Sequence, residues 1–358
     1  MKNRRCGFTL MVGLAIACFA SNLHAKTFLY LSLASDNGLA VYEVNEQTGK
    51  LQYLRLHDLG TDPGPMSVSA DKQTVYVALR NAGKLASFSV SPADGRLDHL
   101  TTVTVEPDPA YHWPDRKGRY LLSAYYRTGK VALHRLDPRG AILSEKSQWH
   151  TTALNAHGIA VDNVNRKFYV TDTGPNAIYQ FDLDPSGKKF AAASTPVIRT
   201  PEKTGPRHIS LHPDKPFAYV DNEQGNSITF FRVVKGNLKA VQTLSTVPAN
   251  WDQGGACARL EMTADGQYVY VANRGHNSIA TFRIDQQTGR MTSLGQISTE
   301  ANPRSFAIHQ NGRFVYAGGQ DTDRLAIFSR NVSDGRLKRI GTVETGKRPW
   351  WLQLVTVP

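Results

Sequence analysis

Apolar and polar residues alternate along most of this chain in short runs, as in "TFLYLSL", "QTVYVAL", "PFAYVDN" and "QYVYVAN". A period of two places successive side chains on opposite faces of a strand. Apolar residues at helical spacing are hard to find. Val, Tyr, Phe and Thr recur instead between clusters of Gly, Pro, Asn and Asp, and the pattern predicts an all-β chain. The segments "AVYEVNEQTGKLQYL", "ASFSVSPADGRLDHL", "ATFRIDQQTGRMTSL" and "AIFSRNVSDGRLKRI" each read as a strand, a turn ending in Gly and a returning strand, which is a hairpin.

The hairpin repeats. Its turn glycines, weaker copies included, are Gly49, Gly95, Gly140, Gly187, Gly236, Gly289 and Gly335, separated by 46, 45, 47, 49, 53 and 46 residues. Self-similarity at a period of roughly 40–50 residues marks propellers and solenoids. A further alternating run precedes each hairpin, including "GRYLLSA", "RKFYVTD" and "GRFVYAG". Seven copies of a four-stranded unit predict a seven-bladed β-propeller with blades arranged around a central channel. The chain starts near Thr27 with part of a blade and ends on "RPWWLQLV", a strand left over that is expected to complete the first blade. The longest interval carries "VPANWDQGGACA", residues 247–258, an insertion expected to form a lip or lid on one face.

The N-terminal "MKNRRCGFTLMVGLAIACFASNLHAK" has a basic start, a short apolar run and Ala25 as a small residue for cleavage, so residues 1–25 read as a secretory signal. Residues 26–358 would then be one propeller domain, soluble in the periplasm. The run from Phe8 to Ala20 is shorter than the roughly 20 apolar residues a spanning helix needs, so no transmembrane segment is expected. "LAIAC" weakly resembles a lipoprotein cleavage site at Cys18, the use of which would tether the protein by lipid. Loss of the signal lowers the formal net charge from +12 to +9. The remaining basic residues are scattered without a run of five, which points to a solvated surface and not to a nucleic-acid footprint. Only Cys257 is left beyond the signal, so no intrachain disulfide can form, and it reads as a packed residue.

Candidate chemistry follows from counting along the repeat. Ala156, Pro206 and Pro303 hold the same place at the start of the innermost strand, and the residues after them are His157, Arg207 and Arg304. Three residues beyond Val170, Val220, Val271 and Ala317 stand Thr173, Glu223, Arg274 and Gln320. All seven are expected on one rim of the channel, with His157, Arg207, Glu223 and Arg274 forming a cationic pocket holding one acid. Charged residues at a channel mouth are also compatible with a purely structural role. His208 and His212 have the look of a metal pair, but four residues of strand span ~13 Å, too far to chelate one ion. There is no nucleophile elbow and no His-Glu metalloprotease motif, so neither a covalent serine route nor a zinc route is supported.

At these residues the sequence resembles the seven-bladed lactonase family of bacterial 6-phosphogluconolactonases and fungal carboxymuconate cyclases. "NAHGIAVDNVNRKFYVTDTGPNAIYQFDLD", "GPRHISLHPDKPFAYVDNEQGNSITFF", "YVYVANRGHNSIATFRID" and "NPRSFAIHQNGRFVYAGGQDTDRLAIF" carry the resemblance, which extends over essentially the whole mature chain. It implies a lactone hydrolase with His157, Arg207, Glu223 and Arg274 as catalytic residues. It also implies a monomer acting on a small-molecule lactone without metal or organic cofactor. Arg304 and Arg259 are expected to bind substrate. Two departures bear on specificity: Arg259 stands where relatives usually carry an acid, and Tyr125 where they often carry Asn. His157, with an ordinary histidine pKa, is the expected acid/base group. An exported lactonase would meet an unphosphorylated sugar lactone such as gluconolactone in place of a phosphorylated one. The alternative is a propeller without catalysis whose rim binds a small anion or a protein.

Overall fold

The computed structural model describes residues 25–145, 147–162, 164 and 166–357. Residues 1–24, which hold Cys18 and all of the expected secretory signal except Ala25, lie outside them. Among the described residues there are seven antiparallel sheets of four strands each, and no helix is long and apolar enough to cross a membrane. Each sheet is one blade, numbered here in chain order. The innermost strands of blades 2 to 7 are Pro63–Val68, Pro109–Pro114, Ala156–Asp162, Pro206–Leu211, Ala256–Met262 and Pro303–Ile308. Blade 1 is closed by the other end of the chain. Its innermost strand, Pro349–Val357, pairs antiparallel with Lys26–Leu33, bringing Lys26 opposite Val357. The leftover apolar strand therefore does complete the first blade.

Two sequence features hold neighbouring blades together. The Tyr of the second strand donates its hydroxyl to the carbonyl of the turn Gly in the next blade: Tyr30 to Gly95 at 2.8 Å, Tyr169 to Gly236 at 3.0 Å, Tyr219 to Gly289 at 2.8 Å, Tyr270 to Gly335 at 2.6 Å and Tyr316 to Gly49 at 2.9 Å. Each such bond contributes about 1 kcal/mol. The turn also needs glycine for a steric reason. At Gly95 φ is +69°, and a Cβ would lie 2.6 Å from the Phe28 ring of the preceding blade. Between blades, the inward faces pack as apolar clusters, such as Phe217, Tyr219, Phe230 and Leu260 between blades 5 and 6.

A bulge at the head of the innermost strands sets up the channel mouth. In blade 5, Pro206 pairs with Asn222, but the next pair is Ile209 with Val220, so Arg207 and His208 together face Asp221. Blades 4 and 6 repeat the irregularity, between Ala156 and Ile159 and between Cys257 and Leu260. Two residues against one bend the strand and re-aim its side chains. The amide that loses its ladder partner is satisfied by a side chain: His208 N donates to Asp221 Oδ1 at 2.6 Å, and Gly158 N to Thr171 Oγ1 at 2.9 Å.

Candidate functional site

The bulges bring His157, Arg207 and Arg304 to one channel mouth, and the residues that follow the second strands join them there. Glu223 is fixed by its backbone, its N donating to Gly205 O at 2.7 Å while its O accepts from Cys257 N at 3.1 Å. Its carboxylate bridges two guanidinium groups, with Arg274 Nη2 at 2.5 Å from Oε1 and Arg207 Nε at 3.3 Å from Oε2. Arg274 Nη2 also donates to Cys257 O at 2.8 Å. Arg207, only 2% exposed, turns its Nη1 to the carbonyl of Ala258. His208 Nδ1 reaches that carbonyl at 2.5 Å, which fixes the proton on Nδ1. The counted set is thus one connected cluster.

Its electrostatics are dominated by excess positive charge in a buried setting. Burial raises the Glu223 carboxyl, but Arg207 and Arg274 outweigh it and hold it below its ordinary value. Glu223 is therefore an anion with both oxygens engaged, suited to orienting arginines. Burial lowers Arg207 to about 10, opposed by Glu223, and it stays charged at neutral pH. The expectation for His157 needs correcting. Burial, then Arg207, His208, Arg80 and Arg304, push its pKa well below 6.5. An imidazolium there would be desolvated and repelled, so the resting ring is neutral and can accept a proton but has none to give. Its Nδ1 is buried without a hydrogen-bond partner. The ring packs edge-on to His208 at 4.8 Å and to Tyr126 at 5.9 Å.

Three residues at this mouth escaped the sequence reading. Arg80 and Tyr126 occupy the place of Glu223 in blades 2 and 3, and the same count applied to those blades would have reached them. Trp350 is the blade 1 counterpart of Arg207 and was read only as part of the closing strand. Arg304 stacks on the Trp350 ring with its Cζ 4.3 Å from the centroid, and Arg80 approaches it at 5.2 Å. Arg80 lies across Gly64, where a Cβ would meet its side chain at 2.7 Å. Arg80 is ion-paired with Asp108. Arg304 has no hydrogen bond or ion pair among the described residues. Burial and then Arg207, Arg80 and Arg274 depress its pKa well below the ordinary arginine value. The mouth therefore carries a cation that Glu223 opposes without forming an ion pair with it.

Other sequence candidates lie elsewhere. Arg259 is not on the rim: it is the second bulge residue of blade 6, level with His208, and pairs with Glu261 through Nε at 2.7 Å. Tyr125 is buried in blade 3, its phenol accepting from Ser123 at 2.8 Å and lying 2.9 Å from His134 Nε2, so it faces away from the mouth. His212 Nδ1 accepts from the amides of Asp214 and Lys215, each at 3.1 Å, closing a turn at the other end of the strand. Cys257 is free and buried, its thiol pushed up to about 12 by burial. No group of His, Cys, Asp and Glu among the described residues could hold a metal ion. The insertion sits beside Glu223 and Arg274, with the Trp251 ring 4.7 Å from that of His276.

Comparison with known proteins agrees with the seven-bladed fold. The family described as "Lactonase, 7-bladed beta-propeller" matches residues 24–354. The chain is 28% identical to a 6-phosphogluconolactonase of Enterobacter sp. (strain 638) over 285 residues, 79% of this chain and 85% of that protein. It is 26% identical to the 6-phosphogluconolactonase of Xenorhabdus nematophila over 283 residues, again 79% and 85% of the two chains. Among solved structures, the periplasmic gluconolactonase of Pseudomonas aeruginosa superimposes with a TM-score of 0.87 at 26% identity, covering 94% of this chain and 100% of that one.

Proposed function

Because the chain belongs to the seven-bladed β-propeller lactonase family, we propose that it is an exported enzyme that hydrolyses a sugar-derived lactone of the gluconolactone type. One observation carries the reading: Glu223 clamps Arg207 and Arg274 beside a neutral, unpartnered His157. Lactone opening needs a base for the attacking water, a stabilised oxyanion and a proton for the leaving alkoxide. His157 takes the proton of the water as its oxygen bonds to the carbonyl carbon. Arg207 and Arg274 hold the oxyanion. The ring C–O bond then breaks, and the leaving oxygen takes the proton back from His157. The cations that lower the His157 pKa make its protonated form a strong acid, which favours this second transfer. Neither a metal nor an organic cofactor is called for.

Arg304, which has no ion pair among the described residues, favours a second reading of the substrate, a lactone bearing a carboxylate, as the next candidate after a neutral sugar lactone. A phosphorylated lactone fits export poorly. Export itself rests on the N-terminal sequence and accords with the periplasmic location in the Pseudomonas relative's description. N-terminal sequencing of the exported protein is expected to begin at Lys26; a lipid-bearing Cys18 would replace the soluble form with a tethered one.

The test is a lactone panel followed by proton release with a pH indicator, against the uncatalysed background. Turnover that His157→Ala abolishes is the expected result. A folded protein that turns over neither a neutral nor a carboxylated lactone would leave a propeller that binds without catalysis.

A further inference from the structure

Below the candidate site, the second bulge residues close the channel. Tyr111, His208, Trp351 and Arg259 meet across it: the Tyr111 ring lies 5.6 Å from His208 and 5.9 Å from Trp351, and Arg259 Cζ is 4.1 Å from the Trp351 centroid. On the far side of this septum, towards the turns between first and second strands, opens a cavity of about 510 Å³ set among blades 3 to 6. Its origin is readable in the next channel-facing residues, Trp113, Ala160, Ser210 and Glu261. Small side chains in blades 4 and 5 leave the space that larger ones would fill.

Two polar groups lining this cavity are without a partner among the described residues, and an aromatic ring borders them. Trp113 is half-buried, packs against the apolar cluster between blades 3 and 4, and makes no aromatic ring contact or side-chain hydrogen bond with the described residues. The Ser210 hydroxyl has no partner, and Glu261 gives Oε1 to Arg259 while Oε2 stays uncommitted. None of these atoms is sealed from solvent. Charge is balanced, with Arg116, Lys215 and Arg259 against Asp162, Asp214 and Glu261. A balanced site does not select an ion. A wholly apolar ligand would strip water from the Arg259–Glu261 pair without replacing its hydrogen bonds. An aromatic face beside a planar ion pair and a hydroxyl suits a molecule with one C–H face and several hydroxyls, and the volume falls within the ~300–1,000 Å³ of small-molecule sites.

We propose that this far mouth is a second binding site, for a neutral, hydroxyl-rich ligand of monosaccharide size whose ring lies against Trp113 and whose hydroxyls reach Ser210 and Glu261. The septum separates it from His157 and Arg207, so a sugar bound here is not substrate in transit.

The probes are the methyl glycosides of glucose, galactose and mannose, followed by saturation-transfer NMR on the full folded chain. At least one should bind. Trp113→Leu and Ser210→Leu, the latter filling the cavity while leaving the ring contacts in place, should each weaken binding about tenfold or more, with melting temperature as the folding control. Arg207→Ala, at the other mouth, should leave it unchanged. Absence of binding by all three glycosides overturns the proposal. So does binding that survives Ser210→Leu but is lost in Arg207→Ala, which would place the sugar at the rim. Displacement of the glycoside by gluconate in a salt-sensitive manner would make the site anion-selective and equally overturn it.

Discussion

The carboxylate of Glu223 is shared by two arginines of different blades, Arg207 of its own and Arg274 of the next, at 3.3 and 2.5 Å. Replacing it with Gln keeps the shape and removes the charge that lets two guanidinium groups lie together. Glu223→Gln should cost roughly 3 kcal/mol of stability, as expected when one partner leaves a largely buried pair. Turnover should fall as the arginines separate. Thermal denaturation and initial rates on the same preparation check both; an unchanged melting temperature would show that the bridge holds nothing in place.

Arg207→Ala and His157→Ala should lower kcat/KM by about two to four orders of magnitude with the fold retained, the range for oxyanion donors and acid/base groups, although Arg207→Ala also loses the stability of its pair with Glu223. His212→Ala should matter far less, since its ring closes a turn at the far end of the strand. Equal losses of activity in all three would mean that scaffold had been mistaken for site.

The pH profile follows from the depressed His157. A base that is neutral well below 6.5 keeps the enzyme active as the pH falls through 6.5, and the acid limb of kcat/KM lies below that value. Arg80→Gln removes one of the cations responsible, so the limb should move up in pH. NMR titration of the His157 ring protons gives the same shift independently.

Arg304 offers a charge test. If it recognises a carboxylate on the substrate, Arg304→Gln should selectively reduce kcat/KM for a carboxylated lactone, and raising the ionic strength should do the same in the wild type. A neutral lactone should respond little to either. Equal responses of both substrates would assign Arg304 to the oxyanion or to the scaffold.

Asp221 bears on stability. Burial raises its carboxyl to about 7, against the opposing pull of Arg207. A folded-state pKa above the unfolded one means that its contribution is fully present below about 4 and is lost as pH rises towards about 7. Asn can still accept the His208 amide. Asp221→Asn should therefore flatten the part of the stability profile lying between those values, as seen in the difference between wild-type and variant melting curves.

Much of this was legible in the chain. The turn glycines gave the blade count because each must take a left-handed φ and fit against an aromatic ring of its neighbour. The rim set was reachable because register repeats from blade to blade. What counting missed has a physical cause: the bulge inserts an unpaired residue, so Arg259 sits a level below Arg207 although both look like residues near a strand start. The pKa of His157 was equally hidden, since the cations that lower it come from blades 2, 5 and 7 and meet only in the closed ring. The septum and the cavity beneath it depend on side-chain size at eight positions drawn from five blades.

The pairing of Lys26–Leu33 with Pro349–Val357 makes residues more than 300 positions downstream a condition for the first blade. Until they arrive, the ring has two open edges and the channel has no wall on one side. Bringing the two strands together closes a loop of more than 300 residues, whose entropy must be met before the contacts reward it. Closure of the ring is therefore a non-local event: the mouth that holds Arg304 against Trp350 comes into being only when the Pro349–Val357 strand has joined the first blade.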